Sequence, residues 1–564
     1  MSNILNEMVD FPAKEITNCI NPISNVKCQN LVFKQNAKMN VMIIFANNRI
    51  GKFPISFTSQ NSNLKLYNEV MESLESDIIC EEDMSSDLCQ VYFDLTFTSN
   101  QLFNVVLIEK TNFQKKIEPL KRIPNLFDVS KNSQFRVTFN EGNLSIYLPE
   151  YNQIYNITLS HSTYIGKAEN QTSIIRPSDS NPDGAYVFAP LHSHPDKDQL
   201  DLSKTLYWNG ATLKQLSLRF LNSTMLLRFY RSLDFVIEIE SIFDPVNNST
   251  SKMMKEGLNS VLQLESSLDN LVVLKNVTLN GNNISISQPE FWTDSNGMKM
   301  MRRYKDFRGG WKYYVTEPVS SNFYPVNHAI SIREKIDFDY NKDDYHGARE
   351  DDPTITIFTE RSQSGGAMKK GEIMLLMNRF SKNDDWKGLD ENLYEKKSSD
   401  SFFRMKNIIS FSNFFDKKQI HDYIHSRPTI FSFGLNTTFL SNFLLKEHIF
   451  ENFSFNSSIS DILSHEECIV LSYHIISSKN ILVQAYNNND PYFGKNKACK
   501  INFKSSLYVP YTFEEISVSG THNLSLIKEF RSLKKKLGQG KTLLKNEYSI
   551  DPQDIKLFSL NFIN

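Results

Sequence analysis

Short stretches in which apolar and polar residues alternate recur along all 564 residues of this chain, and they outnumber stretches with helical spacing. Successive side chains of a strand point to opposite faces, so a period of two marks a strand with one buried face. The pattern runs through 41–45, 91–97, 235–239, 354–358, 373–377 and 481–485. Two hairpins carry their own punctuation. Segments 135–139 and 144–148 flank Asn140-Glu141-Gly142, and 277–279 precedes Asn280-Gly281. Such turns supply residues that tolerate positive φ. With 41 Phe and 23 Tyr against 20 Gly, the composition suits packed sheet cores. These features predict an all-β chain. Helical spacing is confined to 252–274 and to 526–537, where Lys534, Lys535 and Lys536 fill the last turn and Gly538 follows as a stop.

A chain of this length holds roughly 3 to 5 domains at ~100–200 residues each. Punctuation by charge and proline near 118–124, and by charge and serine over 382–401, suggests boundaries there. The expected division is a linker over 1–30, a small sandwich over 31–120, a large central sandwich over 121–395 and a terminal β-domain over 396–564. The 62 basic and 64 acidic residues are mixed along the sequence, so no electrostatic footprint favours nucleic acid. No apolar run reaches the ~18–20 residues that cross a bilayer, and the first residues lack the basic start and apolar core of a signal peptide.

The six cysteines form no Cys-x-x-Cys pair, which argues against a zinc ribbon or a thioredoxin-type site. Cys19 with Cys28 and Cys80 with Cys89 are close pairs, compatible with local disulfides and equally with buried thiols. Twelve Asn-x-Ser/Thr sequons occur, including Asn143, Asn156, Asn170, Asn276 and Asn283, close to the number such a composition yields by chance.

Several motifs imitate metal or phosphate sites and fail on a specific residue. His192-Ser193-His194-Pro195 sets two imidazoles at i and i+2, yet Leu206 stands where a metal-dependent peptidase of this pattern needs its third ligand. Lys535 replaces the first glycine of a phosphate loop ending at Gly540-Lys541-Thr542. Lys342 and Ala348 replace the glycine and glutamate of a calcium loop beginning at Asp337. His421 and His425 have zincin spacing but lack the intervening glutamate.

One stretch carries more than local chemistry. It runs EFWTDSNGMKMMRRYKDFRGGWKYYVTEPVSSNFYPVNHAISI from Glu290. The order Thr-Asp-Ser-Asn-Gly, basic pair, Asp-Phe-Arg, Trp, Thr-Glu-Pro-Val and Asn-Phe-Tyr-Pro-Val-Asn resembles the carboxyl-terminal segment of lysosomal-type α-mannosidases of glycoside hydrolase family 38. TITIFTERSQSGGAMKKGEIMLLMNRFSKNDDWKGLDE, from Thr354, resembles a second block of that family. Asp183-Gly184-Ala185-Tyr186-Val187-Phe188 resembles its Gly-Ala-Tyr strand.

The resemblance implies several antiparallel β-sandwiches, the central one large and mutarotase-like, packed on a separate amino-terminal catalytic domain. It implies retaining hydrolysis of terminal α-linked mannose on N-glycans, with zinc held by that domain, in the lysosome or secretory pathway. This chain has no His-His-Asp stretch and no His-x-Asp followed by Gly-Trp, so no nucleophile and no zinc ligand is assigned to it. The zinc-binding segment is expected upstream of Met1, in the same gene or in a partner chain. Two sugar contacts carry over by resemblance: Tyr186, and Arg379 from a basic pair whose second member is here Phe380. The alternative is a non-catalytic carbohydrate-binding or scaffold protein built from the same β-domains.

Overall fold

The computed structural model describes residues 17–19, 39–45, 51–59, 62–68, 70–80, 89–97, 103–110, 121–122, 126–131, 136–148, 153–168, 181–233, 236–244, 257–279, 282–294, 300–308, 315, 317–334, 353–381, 384–388, 403–413, 429–435, 463–466, 468–477, 480–487, 498–503, 511–516, 547–551 and 555–562. Among them the secondary structure is strand, with two short 3₁₀ turns, and the strands pair antiparallel. The chain divides into two compact units. The first comprises Met1–Phe338 with Asp352–Leu440, and the second Asp339–Asp351 with Ser441–Asn564.

The centre of the first unit is a sandwich of a nine-stranded and an eleven-stranded sheet, counted over the described residues. Alternation decides what goes between them. From Gln153–Ile165, Tyr155, Ile157 and Leu159 point inward, and from Glu372–Phe380, Ile373, Leu375 and Met377 do so. They meet Leu216, Leu227, Ile239, Ile357 and Ile409 of the eleven-stranded sheet in one continuous buried cluster. Burial at ~25 cal/mol per Å² makes such a cluster the main favourable term in folding. The Asn140–Asn143 hairpin closes on Glu141 at φ 47° and Gly142 at φ 94°, the left-handed pair a two-residue turn needs.

The segment 252–274 is not a helix over its described residues, 257–274. It contains the strand Leu258–Ser266 and the start of Leu271–Leu279. Val261, Leu262 and Leu264 are all buried because that strand is covered on both faces, Leu262 and Leu264 in the inter-sheet core and Val261 in a smaller cluster outside it. A strand buried on two sides loses its period of two and imitates helical spacing. The stretch 526–537 lies outside the described residues.

A smaller sandwich precedes the central one. Six strands, among them Met39–Phe45, Phe103–Lys110 and Leu64–Tyr67, face the three-stranded sheet of Gly51–Ser59, Cys89–Phe97 and Ser76–Cys80 across Phe57, Leu66, Phe93 and Val106. Cys80 and Cys89 are directly opposed on neighbouring strands and joined by a disulfide. The Cys19 and Cys28 side chains lie outside the described residues, and Cys499 is disulfide-bonded. Buried Asp77 fastens this sandwich to the central one, accepting the backbone N–H groups of Ala211 (2.9 Å), Thr212 (2.7 Å) and Leu213 (3.1 Å).

The first two described strands beyond residue 395 do not begin a new domain. Phe403–Asn413 lies in the eleven-stranded sheet between Val236–Phe243 and Pro353–Thr359, and Thr429–Leu435 pairs with Met39–Phe45 in the first sandwich. The division therefore falls near 440 and not at the charged stretch 382–401. The second unit holds a three-stranded sheet, Leu463–Glu466 with Cys499–Phe503 and Glu547–Ile550. Its other sheet orders Cys468–Ser477, Asn480–Asn487, Ile555–Phe562 and Tyr511–Ile516.

Candidate functional site

On the outer face of the nine-stranded sheet the loop 183–188 alternates in direction. Phe188 turns inward against Tyr164 (ring centroids 5.7 Å) and Phe323 (5.3 Å), while Tyr186 points out, 65% exposed. The loop is tight because Gly184 N–H donates to Val187 O at 2.9 Å. Gly184 is required there: a Cβ would lie 2.6 Å from Asp385 Cβ.

Arg379, at the end of Glu372–Phe380, holds the loop. Its Nε donates to Asn259 Oδ1 at 2.9 Å, directly across the strand pair. One terminal nitrogen reaches Asp183 Oδ1 (3.1 Å), Gly184 O (2.6 Å) and Val187 O (2.8 Å), and the other reaches Ala185 O at 3.4 Å. The donors that the resemblance assigns to a sugar are thus directed at the loop's own backbone, and what Arg379 presents to solvent is Tyr186. The fork geometry of a guanidinium suits that role better than a lysine would. The Asp183 side chain is fully buried and also accepts from Asn259 Nδ2 (3.0 Å) and Ala189 N–H (2.8 Å). Burial pushes its carboxyl above the usual carboxylate range, and the Arg379 charge pulls it back.

A second loop, 384–388, abuts the first. Asp385 Oδ2 accepts the N–H groups of Tyr186 and of Val187, the latter at 2.9 Å, so one carboxylate fixes the backbone beneath the exposed phenol. Neither Asp385 nor Asn259 stands out in the sequence, because each acts on a residue far away in the chain. The available signal was the family-like Asp384-Asp385 pair.

The remaining sequence candidates fall elsewhere. His192 and His194 are exposed; His194 lines a cavity of about 180 Å³ with Lys197, Gln263, Lys305, Lys369 and Glu372. Among the described residues no group of three or more His, Cys, Asp or Glu side chains is placed to hold a metal ion. Asn143 and Asn156 are exposed on adjacent strands. Asn170, the side chains of Asn276 and Asn283, and the imitative motifs near 339, 421 and 540 lie outside the described residues. Among the described residues no helix is long and apolar enough to cross a membrane.

The fold and this loop define a multidomain antiparallel β-sandwich protein that displays an aromatic side chain from a rigid, arginine-pinned turn. Its sequence relatives are α-mannosidases, lysosomal ones included. The chain is 26% identical over 221 residues to the α-mannosidase of Canavalia ensiformis, covering 39% of this chain and 19% of that protein. It is 37% identical over 105 residues to the lysosomal α-mannosidase of Cavia porcellus, and 35% over 108 residues to that of Homo sapiens. Each of these two matches covers 19% of this chain and 9% of the relative, so the matched segments span less than a fifth of the relatives' own length. No protein-family model matches. Among solved structures, an α-mannosidase from Enterococcus faecalis V583 overlaps 93% of this chain and 56% of its own length, at a TM-score of 0.49 and 10% identity. A glycosyl hydrolase family 38 protein from Enterococcus faecalis overlaps 93% and 58%, at 0.47 and 9%.

Proposed function

We propose that this chain forms the β-domain part of an α-mannosidase that removes terminal α-linked mannose from N-glycans by a retaining, zinc-dependent reaction in the lysosome or secretory pathway. The zinc ion, the nucleophile and the acid/base carboxyl belong in this reading to an amino-terminal catalytic domain, continuous with the chain or docked on it. The chain's own contribution is to hold Tyr186 where it meets the glycan. The observation that carries the proposal is the Tyr186 loop, exposed at its tip and fixed beneath by Arg379 and Asp385, in a chain whose relatives are α-mannosidases. A phenol offers an apolar face and a hydroxyl, which suits a pyranose.

The test is immunoprecipitation of the native protein with an antibody to 290–330, followed by assay on an α-mannoside. Mannose release that a zinc chelator abolishes is the expected result. A precipitate that retains mannose-rich glycans and hydrolyses none would replace this reading with a carbohydrate-binding or scaffold protein.

A further inference from the structure

Trp386 is one of four tryptophans in the chain, and it stands in the polar run Asn-Asp-Asp-Trp-Lys-Gly. It is 53% exposed, and its backbone is left-handed at φ 59°. Glycine is the residue this conformation favours, and a bulky aromatic there is an outlier. The ring gains little burial in return. Strain of this kind persists where surrounding structure imposes it, and it gathers at functional positions.

The imposing structure is visible. Asp384 Oδ1 accepts Trp386 N–H at 3.0 Å, and Asp385 Oδ1 accepts Lys387 N–H at 3.3 Å. Asp385 Oδ2 meanwhile accepts the N–H groups of Tyr186 and Val187. One carboxylate therefore fixes two loops, each of which lifts an aromatic residue into solvent.

We propose that Tyr186 and Trp386 form a two-ring platform for neighbouring pyranose units of an α-mannosyl chain, with Trp386 binding a sugar beyond the one that meets Tyr186. The C–H face of a pyranose is apolar and stacks on an aromatic ring, while its hydroxyls need polar neighbours. Asp384 and Lys387 flank Trp386 on its own loop and supply an acceptor and a donor. Two rings set among charged residues differ from the continuous apolar core of a protein interface, which favours a glycan as the occupant.

The platform rests on the mannosidase reading, and its test does not require hydrolysis. The full chain is titrated calorimetrically with mannose and with a linear α-linked mannotriose, and its tryptophan emission is followed. Trp386→Gly relaxes the backbone while removing the ring. The variant is expected to melt at the same or a higher temperature, to bind the trisaccharide at least tenfold more weakly, to keep its affinity for mannose, and to lose the emission change. Unaltered trisaccharide affinity overturns the platform. So does a variant that keeps glycan affinity but no longer co-precipitates with a catalytic chain, which would make the ring a protein contact. Trisaccharide binding through Trp386 in a protein never associated with mannosidase activity supports the platform and sinks the mannosidase reading; an active enzyme indifferent to Trp386 does the reverse.

Discussion

Two arginines of the central sandwich put their guanidinium groups to different ends. Arg228, 2% exposed, lies where the central and first sandwiches meet. It donates from Nε to Gln215 (2.9 Å), pairs with Glu238 (2.9 Å) and Glu240 (2.7 Å), and lies over the Tyr92 ring. Arg379, 18% exposed at its side chain, sends its donors to backbone carbonyls of a loop and to one carboxylate. The first knits side chains of neighbouring strands into a closed scaffold. The second spends the same chemistry on shaping a surface. Buried arginine is therefore no marker of a site in itself; what distinguishes Arg379 is the exposed phenol it holds up.

The sharpest way to break this contrast is to remove each cation. Arg228→Met leaves two buried carboxylates short of a counter-charge and is expected to cost about 3–5 kcal/mol of stability by urea denaturation. Mannoside affinity, measured below the unfolding transition, should not change. Arg379→Met strands the Asp183 carboxylate and frees the loop, at about 2–3 kcal/mol by the same assay. Here mannoside affinity should fall with stability, and Arg379→Lys should not restore it. An Arg228 variant that lost binding as fully as the Arg379 variant would erase the distinction.

A smaller effect comes from His161, buried between the sheets with Ser223 Oγ at 2.7 Å and Ser241 Oγ at 2.9 Å. Burial pushes its imidazole down to about 3. The unfolded chain takes up a proton near pH 6.5 and the folded chain does not, so stability is full above that pH and declines as pH falls toward 3. The loss reaches about 2 kcal/mol by pH 5. Glu240 is held down to about 2 against its burial by Arg228, Lys406 and Arg404, so its contribution is lost below about pH 4.5 and leaves the window above undisturbed. His161→Gln should flatten the decline between pH 6.5 and 5. The smallest effect, a gain of up to about 1 kcal/mol, is expected at Trp386→Gly, where glycine fits the backbone better.

The scaffold was largely legible in the sequence, because alternate residues of a sandwich strand face the inter-sheet core whatever covers the other side: Ile237 and Ile239, Ile355 and Ile357, and Ile373 and Leu375 all do so. Leu258–Ser266 imitates helical spacing because the apolar Val261 of its outer face adjoins Leu262 and Leu264 of its inner one. The terminal boundary was misplaced because Phe403–Asn413, past the charged stretch, returns to the central sheet between Val236–Phe243 and Pro353–Thr359. In the proposed site, the Gly-Ala-Tyr context singles out Tyr186, and the structure adds that it is exposed. The work of Arg379 was not legible, since its target lies some two hundred residues away, nor was Trp386, whose significance lies in a backbone angle and in Asp385 reaching across to another loop.

The central claim is that the loop held by Arg379 faces the glycan of a working α-mannosidase. Tyr186→Ala, introduced into the native gene and assayed on the immunoprecipitated enzyme with an α-linked oligomannoside, tests it most directly. The account predicts a KM raised at least tenfold with the melting temperature unchanged. Kinetics identical to those of the wild-type protein would contradict it.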